Sequence, residues 1–125
     1  MIPVVIIQTA YTAYAACHKA LVKAGLTPGI DFFLVNDELD VSERIIPGEK
    51  QMLITGTFRG KEEAVVRFVS EMRSKNSQLV TASFSVYSMS GPFDLNIPKV
   101  GGEGLCGELV REVKKFLAER GTLTT

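Results

Sequence analysis

The sequence predicts a three-layer α/β domain built on a mostly parallel five-stranded sheet, and three observations predict it. Two short runs, Ile2 to Gln8 and Gln51 to Thr55, are apolar almost throughout, which suits strands covered on both faces. Two longer segments, Lys61 to Lys75 and Leu105 to Arg120, place their apolar residues on single stripes at helical spacing. Strand and helix patterns alternate along the chain, and right-handed crossovers between such units put helices on both faces of a parallel sheet.

Taken in order, Ile2 to Gln8 is a β-branched first strand. Thr9 to Thr12 turns the chain, with Thr9 or Thr12 as N-cap of the next element. That element is a helix, Ala13 to Ala24, with Tyr14, Cys17, Leu21 and Ala24 at helical spacing and Gly25 closing it. Leu26 to Ile30 turns on Pro28-Gly29. Asp31 to Asn36 is a second strand, and Asp37 to Asp40 an acidic turn. Val41 to Ile46 makes one or two helical turns before Pro47-Gly48 stops it, a short connection for a crossover. Gln51 to Thr55 is the third strand. Lys61 to Lys75 is an amphipathic helix that buries Val65, Phe68, Val69 and Met72. Leu79 to Tyr87 is the fourth strand. Val80, Ala82, Phe84 and Val86 there alternate with Thr81, Ser83, Ser85 and Tyr87, which predicts one wetter face. Ser88 to Pro92 is a turn, Phe93 to Ile97 a fifth strand, and Pro98 to Gly104 a glycine-rich loop. The last helix, Leu105 to Arg120, is striped by Leu105, Leu109, Val113, Phe116 and Leu117 and ends at Gly121; Thr122 to Thr125 is a tail.

The 125 residues form one domain, 1–125, large enough to bury a core without disulfides or metals. Lys plus Arg (14) equals Asp plus Glu (14), so net charge offers no handle for nucleic acid or an anionic membrane, and neither is an expected partner. The apolar run Ile2 to Ile7 is too short for a signal peptide or a membrane span, so the expected location is cytoplasmic. Cys17 and Cys106 lie far apart in sequence, with no further Cys or His at ligand spacing, and read as two reduced thiols.

In element order, size and spacing nearly the whole chain resembles a response-regulator receiver domain, a flavodoxin-like fold. The resemblance implies a site at the carboxyl ends of the strands, where open α/β sheets carry their chemistry. The family holds Mg²⁺ with an acidic pair after its first strand; Gln8 and Thr9 stand there. Its phosphoacceptor aspartate ends the third strand, where this chain has Thr55, followed by Thr57. Its hydroxyl residue ends the fourth strand, a place Ser83 or Ser85 fits, and its lysine follows the fifth, here Lys99 after Pro98. All three carboxylates are missing. Mg²⁺ requires hard anionic oxygens, and a threonine cannot form an acyl phosphate. The family also has a helix between strands four and five. Ser88 to Pro92 is too short for one, so that fourth helix is reduced or absent, or strand five runs antiparallel as a hairpin.

Other residues carry a sharper and a plainer reading each. The loop from Lys99 to Gly107, with Gly101, Gly102 and Gly104, either binds an anion ahead of the last helix or is simply a turn. Cys106 enters that helix where a thiolate is stabilised, and a pairing with His18 requires the first and last helices to meet. Asp37, Glu38 and Asp40 read as a cation site or a solvated turn. Arg59 and Lys61 meet an anion or begin a helix, and Tyr11 and Tyr14 line the crevice or the core. The expected function is a receiver-like signalling or protein-interaction module that is not phosphorylated and carries no cofactor. The partner is a protein or a second copy of the chain, bound through Phe93, Leu95 and the outer side of the last helix. The alternative is a small ligand-binding protein or enzyme using the Lys99 to Gly107 loop with Thr55, Thr57 and Arg59.

Overall fold

Among the described residues, five strands and four helices follow one another as β1 (Val4–Ile7), α1 (Tyr11–Lys23), β2 (Phe32–Val35), α2 (Glu38–Ser42), β3 (Met52–Thr55), α3 (Glu62–Lys75), β4 (Val80–Ser85), β5 (Leu95–Pro98) and α4 (Gly107–Glu119). The structure, a computed structural model, describes residues 1–56, 62–85, 91–99 and 106–121. The strands lie in the order β2-β1-β3-β4-β5. All four pairings are parallel, so β5 does not return as a hairpin. Between β4 and β5 no helix occurs among the described residues.

Strict alternation along the strands sorts the core into two halves. Val4 and Ile6, Phe32 and Leu34, Met52 and Ile54, Ala82 and Phe84, and Ile97 face one side, where α1 and α4 cover them. Val5, Ile7, Val35 and Leu53 face the other, beneath Val41 and Ile45 and the α3 stripe of Val65, Phe68, Val69 and Met72. The α3 stripe is the one the helical spacing predicts, and on α4 Leu109, Val113, Phe116 and Leu117 are buried as predicted, while Leu105 lies outside the described residues.

Local chemistry sets the helix ends, and here the structure corrects three expectations. Ala10, not Thr9 or Thr12, is the N-cap residue of α1, and it makes no side-chain cap. At the other end Gly25, at φ +91°, lets its own N–H reach Val22 O and that of Leu26 reach Leu21 O. The acidic stretch after β2 is the start of α2 rather than a turn before it. Asp37 accepts from the Leu39 N–H at 2.8 Å, and Glu38 and Asp40 meet the positive end of the helix.

The third correction concerns β4. Its hydroxyl face is not wet: Thr81, Ser83 and Ser85 are all buried. Residues 92–94, the described end of the connection into β5, lie on the α3 side of the sheet as irregular backbone, and backbone needs polar partners. Thr81 Oγ1 donates to Pro92 O at 2.6 Å, and the Thr81 N–H to Asp94 Oδ2 at 2.8 Å. Arg73 reaches down from α3 to Pro92 O at 3.0 Å. Phe93 packs against the α3 cluster. Thr81 is thus buried beneath the segment 92–94, and Ser83 against Asn96 of β5.

Candidate functional site

The parallel register brings the carboxyl ends of the strands to one edge: Ile7 pairs with Val35 and Thr55, Thr55 with Ser83, and Ser85 with Pro98. Gln8 continues β1, its N–H bonded to Val35 O, and is buried at 2% exposure. Gly56 continues β3 directly beneath the Gln8 amide. A Cβ at position 56 would lie 2.8 Å from Gln8 Nε2, so the glycine makes room for this side chain. Lys99 continues β5, its N–H bonded to Ser85 O. Its Nζ donates to Gln8 Oε1 at 3.4 Å and stands 5.1 Å above the Phe84 ring.

Gln8 and Lys99 therefore meet, as the resemblance implies for residues ending β1 and β5. Thr55 and Ser83 are neighbours in register, but alternation places them on the α3 side, away from Gln8 and Lys99. Ser83 donates to Asn96 Oδ1 across to β5. Two buried polar atoms, Gln8 Nε2 and Thr55 Oγ1, have no partner among the described residues. Thr9 is half-buried where β1 passes into α1. Thr57, Arg59, Lys61, Gly101, Gly102 and Gly104 lie outside the described residues. Tyr14 donates to Leu34 O at 3.2 Å, while Tyr11 is exposed beside the same edge.

The receiver fold implies a divalent metal, and these residues do not fit one. Gln8, Thr9 and Thr55 offer neutral oxygens, and the Gln8 oxygen already accepts from an ammonium group that would repel a cation. No three His, Cys, Asp or Glu among the described residues gather to hold a metal ion.

Phe93 and Leu95 lie on opposite faces of the sheet, Phe93 against the α3 cluster and Leu95 against the α1/α4 cluster. They do not form one surface.

The feature that sequence reasoning missed is the pairing of the two thiols. The first and last helices do meet, but Cys106 finds Cys17 rather than His18, with the sulfurs 3.6 Å apart and both residues buried. His18 is exposed and sets its ring edge-on to Phe32. The hydrogen bond shared with Cys17 pulls the Cys106 thiol down to about 7, with Lys99 adding to the pull against burial. The same hydrogen bond, with burial, holds Cys17 protonated far above the usual range. A signal was present: a strand order that reverses at β1 puts α1 and the last helix on one face, and both cysteines border apolar stripes.

No family model and no curated protein matches the chain. Among solved structures it is similar to a response regulator from Thermotoga maritima, at 18% identity with a TM-score of 0.62, covering 94% of this chain and 99% of that one. The fold is therefore that of a receiver domain.

Proposed function

We propose that this chain is a receiver-like signalling module that takes no phosphoryl group and acts in the cytoplasm by contact with a protein partner or a second copy of itself. The observation that carries the reading is the Lys99–Gln8 contact at the carboxyl edge of the sheet, with Thr55 ending β3 on the opposite face. At the edge where a receiver holds three carboxylates and a metal, this chain has an amide already engaged by the lysine and a buried threonine. An acyl phosphate forms on a carboxylate, and the Thr55 hydroxyl is not one. A second reading, binding of a small polar ligand at the same edge, is favoured by Gln8 Nε2 and Thr55 Oγ1, one on each side of the sheet and both buried with no partner among the described residues, since such atoms are costly.

The test is incubation with acetyl phosphate, with and without Mg²⁺, read by intact mass under neutral and alkaline conditions. The expected spectrum is that of the unmodified chain throughout. A stoichiometric, alkali-labile phosphoryl adduct overturns the proposal.

A further inference from the structure

We infer that Cys17 and Cys106 form a peroxide-reactive dithiol that closes into a disulfide between α1 and α4. The inference does not depend on whether the module takes phosphate. It rests first on geometry. The sulfurs stand 3.6 Å apart, although the two residues are 89 positions apart in sequence. A disulfide bond is about 2.05 Å long, so closure needs an approach of about 1.5 Å between side chains that already touch. The two residues have unlike settings. Cys17 lies inside α1 on the buried stripe with Ala13 and Leu21. Cys106 is the N-cap residue of α4, at the positive end of the helix dipole, and its sulfur makes no cap hydrogen bond.

Among the described residues, the charged and titratable groups acting on Cys106 are Cys17, which hydrogen-bonds it, and Lys99, whose charge favours its thiolate. Both act in the same direction, so Cys106 is the attacking sulfur and Cys17 the resolving one. The co-reactant is hydrogen peroxide, small enough to reach a sulfur with 4% exposure. The Cys106 thiolate attacks one peroxide oxygen; an S–O bond forms, the O–O bond breaks, and hydroxide leaves. Cys17 then attacks the Cys106 sulfur; an S–S bond forms, the S–O bond breaks, and the departing hydroxide takes the Cys17 proton as water. Two thiols lose two electrons, and peroxide is reduced to water. Closure also removes the negative charge that Lys99 faces, which couples the thiol pair to the Gln8–Lys99 end of the sheet.

The experiment treats the reduced full chain with micromolar hydrogen peroxide at neutral pH. The expected product is a monomer lighter by about 2 Da, the loss of two hydrogens, that regains its mass with dithiothreitol. Its peptide map holds a Cys17–Cys106 cross-link, and its Tm lies roughly 10 °C above that of the reduced chain. Cys17→Ala is expected to stop at a Cys106 sulfenic acid that dimedone traps. Cys106→Ala is expected to slow oxidation at Cys17 about tenfold or more, because the low-pKa thiolate is gone. Circular dichroism checks that each variant folds, and the wild-type peptide map decides the matter if one does not. Two free thiols after an hour in millimolar peroxide, oxygen addition without a cross-link, or a disulfide only between chains overturns the proposal.

Discussion

Gln8 depends on having a glycine beneath it. Gly56→Ala would place a Cβ 2.8 Å from Gln8 Nε2 and push the amide off Lys99. We expect a loss of about 1–2 kcal/mol in chemical denaturation, in the range for overpacking a filled site. In the background of Gln8→Ala the same substitution should cost markedly less, since the clashing group is gone. Thr55 poses the opposite case: its buried hydroxyl has no partner among the described residues. Thr55→Val exchanges that hydroxyl for a methyl of the same shape, so stability should hold or rise by up to about 1 kcal/mol. A clear loss would mean that the hydroxyl is satisfied. At Cys106 the pH dependence has a definite sign. Its thiol is held near 7, so alkylation by iodoacetamide should reach half its maximal rate near that pH, below the range of an ordinary cysteine. Lys99→Met removes a charge that favours the thiolate, and the midpoint should then move up.

On the scale of elements, α3 is held by its stripe and β4 by its loop. Phe68 is 6% exposed in the middle of that stripe. Phe68→Ala should cost about 3–5 kcal/mol by thermal or denaturant unfolding, as large truncations in a core do. The cover over β4 is polar, and Arg73 is its hinge pin, bonding Pro92 O and Thr81 Oγ1. The ion pair to Asp94, at 3.5 Å and partly exposed, adds little. Arg73→Met should cost about 1–2 kcal/mol, from the two hydrogen bonds to Pro92 O and Thr81 Oγ1 that it loses, with the Pro92 carbonyl still bonded by Thr81. Leu95→Asp should unfold the domain partly rather than merely weaken association, because Leu95 is packed against the α1/α4 cluster.

For the molecule as a whole, what was legible in the sequence and what was not divide along a physical line. Short-range periodicity is written in consecutive residues, so both long stripes and all five strands were readable from residues such as Val65, Phe68 and Leu109. Closure of the sheet was not. The direction of β5 depends on where the chain after Ser85 crosses, and Thr81 reads as wet until Pro92 and Asp94 are seen covering it. The site was readable only as a set of absences, since Gln8, Thr55 and Lys99 can be placed at strand ends without knowing which side of the sheet each faces. Cys17 and Cys106 come together only through the strand order, at a range that spacing cannot reach.

The central claim, that a receiver fold here carries no phosphoryl-transfer site, is tested most directly by backbone amide NMR during titration with Mg²⁺ and the phosphoryl mimic beryllofluoride. The Gln8, Thr55, Gly56 and Lys99 amides are expected to keep their shifts to millimolar ligand. Saturable, Mg²⁺-dependent shifts centred on those four amides would contradict it.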